Sequence, residues 1–249
     1  MHSPSASALQ SSPLAAASTL PELKAALWDM DGTLVDTEPY WIAAEIELVT
    51  AHGGSWNLEQ SSKLVGNALE TTAKILQREG VDLPVRAIVD TLSNAVIDKI
   101  RHQLPWRPGA LELLAELHSR GVRCVLVTMS ELNLAGEVAR ALPGPYLEFL
   151  VTGDQVANGK PHPEPYLAAV ERLRQADPSL TGANCVAFED SIPGVTSALA
   201  ANLATIAIPH VVPLPEDARR TTWDTLDGKT YDDVARALAA RSTMNGAAL

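Results

Sequence analysis

Apolar residues gather in five short runs, and segments with helical spacing lie between most of them. The runs cover residues 24–29, 122–128, 147–153, 183–190 and 203–209. Helical periodicity covers residues 109–120, 132–141, 163–175 and 192–201. Continuous apolar runs are typical of strands that are covered on both faces, and alternation of strand and helix is typical of a parallel sheet. The pattern therefore predicts an α/β fold with a Rossmann-like open parallel sheet.

Residues 39–106 break this alternation, because they contain helical patterns and no convincing strand. The helical patterns lie near 39–52, 59–64, 70–79 and 85–103. Ligands of open α/β sheets bind beyond the carboxyl ends of the strands, and an insert placed directly after the first strand lies at that edge. We therefore predict a helical cap domain at 38–106, inserted into a core domain made of 22–37 and 107–240.

The two ends of the chain have a different composition. Residues 1–21 are rich in Ser, Ala and Pro and lack a basic start followed by a long apolar stretch, so we expect a disordered tail and not a signal peptide. Residues 241–249 are expected to form a C-terminal tail. No apolar run approaches the roughly 20 residues of a membrane-spanning helix.

The chain of 249 residues has 19 basic and 30 acidic residues, a formal charge of −11. This balance argues against nucleic acid and an anionic membrane surface as partners. An anionic substrate would need local positive charge, for which a metal ion is one source. Cys124 and Cys185 lie in apolar runs and are expected to be buried thiols, which fits a reducing cytoplasm.

The first run ends in "DMDGT", which places Asp29 and Asp31 two residues apart before Gly32. Close carboxylates raise each other's pKa unless a cation neutralises them. Magnesium commonly takes one or two carboxylates together with phosphate and water. An acidic turn after a strand is the alternative, and this motif alone leaves it open, since Asp and Gly are ordinary turn residues.

Other strand ends carry polar groups too. Thr128 and Ser130 follow the second run, Lys160 precedes a helix, and Glu189 and Asp190 end the fourth run. Taken singly, a threonine at this place is more often a strand-end cap and a lysine more often a surface residue. Together they place acid, hydroxyl, lysine and acid at one edge of one predicted sheet.

This order of residues resembles the four signature motifs of the haloacid dehalogenase superfamily. The motifs are Asp29-x-Asp31-Gly32-Thr33, Thr128, Lys160-Pro161 and Glu189-Asp190-Ser191, and the resemblance covers residues 22 to 210. An insert after the first motif resembles the small helical cap class of that family. The sequences of the motifs are similar to those of the group that contains β-phosphoglucomutase and phosphoglycolate phosphatase.

The resemblance implies a role for each motif residue. Asp29 would be the nucleophile that forms an aspartyl phosphate, and Asp31 the general acid and base. Lys160 would neutralise Asp29 and the transferring phosphoryl group. Mg²⁺ would be held by Asp29, the Asp31 backbone carbonyl and Asp190, with Glu189 as a direct or water-mediated partner. Substrate would be bound by Thr128, Met129 and Ser130, and relatives in this group often place a carboxylate at the position of Glu38 facing the substrate.

Three functions stay open at this point. The first is a Mg²⁺-dependent phosphatase of a small phosphomonoester, such as a sugar phosphate, a polyol phosphate or phosphoglycolate. The second is a β-phosphoglucomutase-like mutase, which is disfavoured because no basic residue flanks Gly66 closely. The third is a catalytically silent binding module. Asp36 is expected at the hinge or as a helix cap. Trp41 and Trp56 are expected in the core, with an apolar part of the pocket as the alternative. A monomer is compatible with the small cap.

Overall fold

One parallel sheet organises the protein. The computed structural model describes residues 22–246, with side chains described through Arg241, so the predicted N-terminal tail at 1–21 lies outside the described residues. The strands in chain order are β1 (Ala25–Trp28), β2 (Arg123–Val127), β3 (Leu147–Val151), β4 (Cys185–Glu189), β5 (Ala204–Ala207) and β6 (Thr221–Thr222). The sheet order is β3-β2-β1-β4-β5-β6, and every described pairing is parallel. This topology confirms the predicted α/β fold class.

Helices follow the first strand and then alternate with the remaining ones. Between β1 and β2 lie α1 (Glu38–Ala51), α2 (Leu58–Ser62), α3 (Leu69–Arg78), α4 (Val85–His102) and α5 (Ala110–Ser119). The later helices are α6 (Leu132–Arg140), α7 (Glu164–Ala176), α8 (Ile192–Ala200) and α9 (Tyr231–Gly246). We call residues 38–106 the helical insert. The precise boundaries of a cap and a core domain stay predictions.

The central strand β1 is buried on both faces, as its continuous apolar sequence predicts. Ala26 and Trp28 point into one core cluster, and Ala25 and Leu27 point into the other. The Trp28 indole stacks on the Phe188 ring of β4, with 4.1 Å between ring centroids. Side chains of a strand alternate between faces, so β1 is locked in the centre of the sheet and its carboxyl end is fixed in place.

Two short segments connect the helical insert to the sheet and run side by side. Val35 pairs with Trp106 in an antiparallel bridge. The Asp36 backbone N–H donates to the Pro105 carbonyl at 2.7 Å, and the Arg107 N–H donates to the Leu34 carbonyl at 3.0 Å. The insert therefore leaves and rejoins the sheet at one narrow hinge.

The end of the chain differs from our expectation. Helix α9 continues through residues 241–246, which we expected to belong to the C-terminal tail, and residues 247–249 lie outside the described part. The helix buries Val234 and Leu238, so packing on the sheet supports it from its first turns. Within the described residues no helix is long and apolar enough to span a bilayer. Cys124 and Cys185 are buried and form no disulfide.

Candidate active site

The carboxyl ends of β2, β1 and β4 bring the polar motif residues together. Asp29 directly follows β1, Thr128 directly follows β2, and Asp190 directly follows β4. These three strands are neighbours in the sheet, so the residues that follow them meet at one edge. Lys160 reaches the same edge from the loop before α7.

Lys160 is buried and its ammonium group is fully engaged. Its Nζ lies 2.6 Å from Asp29 Oδ1 and 2.7 Å from Glu189 Oε1, and it donates to the Val127 carbonyl at 2.8 Å. An ammonium group has three donors, and three oxygens surround this one. Burial alone lowers the pKa of Lys160, but the Asp29 and Glu189 carboxylates outweigh burial and raise it above its ordinary value.

Asp29 is buried beside other acids, and this changes its protonation. Burial raises the pKa of Asp29 to about 7, against the opposing effect of Lys160, and Glu189 and Asp31 add to the rise. An opposite charge placed nearby favours the ionised form of a carboxyl group. A further cation at this edge would therefore keep Asp29 charged at neutral pH.

Asp29, Glu189 and Asp190 form a cluster of acids that fits a divalent cation. One carboxylate oxygen from each lies within 4.8 Å of the others. Within the described residues the buried Asp190 Oδ2 has no hydrogen-bond partner, and burial raises the pKa of Asp190 well above its usual value. Buried polar atoms rarely lack partners, and oxygen donors are those that Mg²⁺ prefers.

A glycine lets the turn after β1 approach this cluster. Gly32 has φ +83°, and a Cβ at this position would lie 2.6 Å from Asp190 Cγ. Such a φ disfavours other residues, and the close contact excludes any side chain. Beside it, the Glu189 Oε1 accepts from Lys160 and from the Tyr166 hydroxyl at 2.5 Å, so that oxygen is already occupied.

Asp31 is half-buried and is held from two sides. On the insert side, Thr37 Oγ1 and Trp41 Nε1, the latter at 3.0 Å, donate to Oδ1. On the sheet side, Ser130 Oγ at 2.7 Å and Thr128 Oγ1 at 3.4 Å donate to Oδ2. The carboxylate of Asp31 therefore links the first helix of the insert to the end of β2.

A cleft opens between these residues and the helical insert. Glu38 is buried in its wall, and burial, with the Asp31 and Glu45 carboxylates adding, raises the pKa of Glu38 to about 8. The insert side of the cleft is formed by α1 and by residues 64–72. Among the described residues that line the cleft, Lys160 is the one cation.

The structure gathers all the predicted site residues in one place. The cleft is lined by Asp29, Asp31, Glu38, Thr128, Met129, Ser130 and Lys160. Glu189 and Asp190 are buried next to Asp29. Met129 also supports Lys160, since its sulfur accepts the Lys160 backbone N–H at 3.1 Å. These positions agree with the expected grouping, while the role of each residue stays a proposal.

Two residues at the site, Tyr166 and Glu45, were not predicted from the sequence. Trp41 belongs to the core, which was the favoured expectation, and it also lines the cleft, which was the alternative, and donates to Asp31. Glu38, Trp41 and Glu45 share a helical spacing of three and four residues, which was the available signal for one common face. Asp36 pairs with His210 Nε2 at 2.8 Å and does not line the cleft.

Comparison with known proteins identifies the family. The family model for hydrolases described as haloacid dehalogenase-like matches residues 23–202, which is well over half of the chain and spans every motif at the sheet edge. The chain belongs to the haloacid dehalogenase-like hydrolase family. It is therefore an enzyme of the hydrolase class, as the motifs predicted.

Individual relatives cover most of this hydrolase. The phosphorylated carbohydrates phosphatase of Thermotoga maritima is 32% identical over 196 residues, covering 74% of this chain and 84% of the relative. Hexitol phosphatase B of Escherichia coli K12 is 29% identical over 205 residues, covering 80% and 87%. The crystal structure of CbbY from Rhodobacter sphaeroides in complex with phosphate superimposes with a TM-score of 0.75 at 26% identity, covering 85% and 98%.

Proposed function

We propose that this hydrolase is a Mg²⁺-dependent phosphatase of a small phosphomonoester of the sugar phosphate or polyol phosphate type, acting through an aspartyl phosphate on Asp29. The observation that carries the proposal is the contact of the Asp29 carboxylate with the Lys160 ammonium at 2.6 Å, beside a half-buried second aspartate. A nucleophile, a cation and a proton carrier within one cleft are what hydrolysis by phosphoryl transfer requires. The names of the relatives point to the same chemistry.

Asp29 attacks the phosphorus atom, and the bond from phosphorus to the ester oxygen breaks. Asp31 protonates the leaving alcohol, and then accepts a proton from the water that hydrolyses the aspartyl phosphate. Hydroxyl groups of Thr128 and Ser130 and the Met129 backbone N–H bind oxygens of the phosphoryl group. Lys160 holds Asp29 in position and offsets negative charge, and positioning with charge compensation supplies most of the catalysis in such reactions.

Asp29, Asp190 and the Asp31 backbone carbonyl would hold Mg²⁺, with Glu189 beside them. The orphaned Asp190 Oδ2 and the cluster of oxygen donors fit this ion. When bound, Mg²⁺ supplies positive charge that polarises the phosphoryl oxygens and favours the ionised form of the neighbouring carboxylates. A cytoplasmic location belongs to the same proposal.

The test is release of inorganic phosphate over a panel of small phosphomonoesters. Release should require Mg²⁺, stop with EDTA, and fall to background in Asp29→Asn. Asp98→Asn is the matched control, since the Asp98 side chain is 75% exposed on α4 and its loss should leave the rate unchanged. Isomerisation of β-glucose 1-phosphate without net phosphate release would show a mutase instead, and ligand binding without turnover would show a silent binding module.

A further inference from the structure

Helix α1 presents a second carboxyl group to the cleft, two turns beyond Glu38. Glu38, Trp41 and Glu45 all line the cleft. With a rise of about 1.5 Å per residue, Glu45 lies about 6 Å further along the helix than Trp41. Because the Trp41 indole contacts Asp31 at 3.0 Å, the start of α1 faces the reacting groups. Glu45 therefore faces the part of the cleft that is distal to the phosphoryl position.

Glu45 is anchored from the side that faces away from the cleft. It is 5% exposed, and its Oε2 accepts from Trp56 Nε1 at 3.3 Å. Burial raises the pKa of Glu45 to about 6, with hydrogen bonds from Ser61 and Trp56 opposing the rise. Trp56 and Ser61 do not line the cleft, whereas Glu45 does. These two residues thus hold the carboxylate from behind, and its other side faces the cleft.

The surroundings of Glu45 suit hydroxyl groups and offer an anion no counterion. The other polar groups on this wall come from Glu38, Asn67 and Thr72. The one cation among the described lining residues, Lys160, is already surrounded by three oxygens at the far end. A buried carboxylate is costly where packing alone is needed, since an apolar side chain of similar size is often as stable or more so. An acid at this position therefore indicates a polar ligand.

We propose that Glu45 determines specificity by accepting hydrogen bonds from hydroxyl groups at the end of the substrate distal to the phosphoryl group. The same carboxylate disfavours substrates with a distal anionic group. The inference rests on the proposed phosphatase function and narrows its substrate class. The proposed substrates are then polyhydroxylated phosphomonoesters with an uncharged distal end, and phosphoglycolate and bisphosphates are excluded.

The experiment compares Glu45→Gln with Glu47→Gln on three kinds of substrate. Glu47 lies on the same helix and is exposed, so it controls for loss of one negative charge from α1. For a pentitol or hexitol phosphate, Glu45→Gln should raise KM about 5-fold, the difference between a charged and a neutral acceptor, with kcat nearly unchanged. For phosphoglycolate and a sugar bisphosphate, the same substitution should lower KM. Glu47→Gln should change neither.

If Glu45 binds substrate, KM should move in opposite directions for the two substrate classes. If Glu45 had only a structural role, its replacement would weaken the binding of both classes. Glu45→Asp is the second variant, because it keeps the charge but withdraws the carboxylate. It should raise KM for the polyol phosphate and keep the discrimination against phosphoglycolate. The unmodified enzyme offers a further comparison between two substrates. A polyol phosphate should have a lower KM than an alkyl phosphate of the same length.

The possible outcomes distinguish failure of the Glu45 assignment from failure of the proposed phosphatase function. If the enzyme releases phosphate from these esters but Glu45→Gln moves KM equally for both classes or for neither, the assignment of Glu45 is wrong and the phosphatase function stands. If the enzyme prefers the alkyl phosphate, the assignment is likewise wrong. If the unmodified enzyme hydrolyses no phosphomonoester with Mg²⁺, the proposed function itself fails.

Discussion

At the scale of single residues, the site brings several negative charges together in a buried place. Asp29, Glu189 and Asp190 are buried together, and Lys160 is the cation that contacts the first two. If all three acids were ionised, the cluster would keep two negative charges in a buried place. A divalent cation would make the cluster neutral. By this count, Lys160 and a divalent cation together would balance the three acids.

Replacing Lys160 tests this arrangement. Lys160→Met in EDTA should lower the free energy of unfolding by about 3–5 kcal/mol, because it leaves buried carboxylates without a counterion. Hydrolysis should be lost, and Mg²⁺ should restore part of the stability. The control is Lys63→Met, since the Lys63 side chain is 68% exposed and pairs with Glu59 on the surface. Its effect should stay within about 1 kcal/mol, as measured by denaturant unfolding. Equal stability of the two variants in EDTA would contradict the argument.

Glu38 should make the stability of the metal-free protein depend on pH. Its pKa is raised from an ordinary 4.5 to about 8 in the folded state, so the folded protein binds the extra proton between these values. Stability contributed by that proton is complete below pH 4.5 and is lost as pH rises through 8. Denaturant unfolding from pH 5 to 9 should show a decline on the order of a few kcal/mol. Asp29 and Glu45 contribute to this decline with raised pKa values of their own, so Glu38→Gln should make it smaller without removing it.

The control for this pH dependence is Glu47→Gln, which lies on the same helix and is exposed. It should leave the slope of stability against pH as in the unmodified protein. Parallel slopes for the unmodified protein and Glu38→Gln would show that Glu38 does not contribute to the proton uptake in this range.

Some residues of the site are predictable from the sequence and others are not, for a physical reason. Asp29, Thr128 and Asp190 directly follow apolar strands, so parallel pairing alone brings them together. Tyr166 and Glu45 lie within helices, and their contribution depends on how each helix is rotated against its neighbours. The spacing of residues along a helix does not determine that rotation. A helical pattern therefore shows which residues share one face of the helix, but not what that face packs against.

At the scale of elements, the loop between α2 and α3 closes the cleft at a glycine. Gly66 has φ +76°, and a Cβ there would lie 2.7 Å from Ser191 Cβ. Ser191 caps the N-terminus of α8, where its hydroxyl accepts the Gly194 N–H at 3.1 Å. The insert therefore contacts the sheet edge through a position where only hydrogen fits.

Gly66→Ala should separate this contact from backbone strain. We expect kcat/KM to fall about 10-fold or more, since a misplacement of the closing loop by about 1 Å is enough for losses of this size. Gly53→Ala is the matched control, because Gly53 has φ +80° and nothing lies within 4 Å of a Cβ there. Both variants carry the strain of a left-handed residue, and steady-state kinetics should show the large loss only in Gly66→Ala. A similar loss in Gly53→Ala would point to strain alone.

The elements themselves were largely predictable. Each of the five apolar runs contains one of the strands β1 to β5, and each predicted helical segment overlaps a helix to within a few residues. Strand β6 consists of Thr221–Thr222, which is too short to give a period and exists because it pairs with the edge of β5. Helix α9 is rich in alanine, with Val234 and Leu238 as its large buried residues, so its apolar signal is weak.

At the scale of the whole molecule, the helical insert is tied to the rest of the protein at two ends. One end is the hinge, where Val35 pairs with Trp106 and where His210 contacts both Asp36 at 2.8 Å and Arg107 at 2.6 Å. At the other end, Arg86 of α4 pairs with Glu131, the residue before α6, and nearer the hinge Arg101 of α4 pairs with Glu137 of α6. Ion pairs between residues so far apart in sequence form only after the helices have packed together. They could therefore not be predicted from the sequence.

The ion pairs lie at very different distances from the hinge along α4. Arg86 Nη1 and Nη2 donate to both carboxylate oxygens of Glu131 at 2.5 and 2.8 Å, and Arg101 Nη2 donates to Glu137 at 2.8 Å. At about 1.5 Å per residue, Arg86 lies about 22 Å further from the hinge along α4 than Arg101, which is in the last turn of that helix. If the insert rotates about the hinge, the Arg86 pair must break over a much larger displacement.

Removing the distant pair should therefore shift the insert towards an open state more than removing the near pair. Arg86→Gln should raise KM for the phosphomonoester by up to about 5-fold, the upper range for a single exposed ion pair. It should also weaken the dependence of KM on salt, since added ions screen the pair in the unmodified enzyme. Arg101→Gln is the control on the same helix and should change KM less. Steady-state kinetics at low and high salt decides the matter: equal effects of the two substitutions would mean that closure does not proceed by rotation about the hinge at Val35 and Trp106.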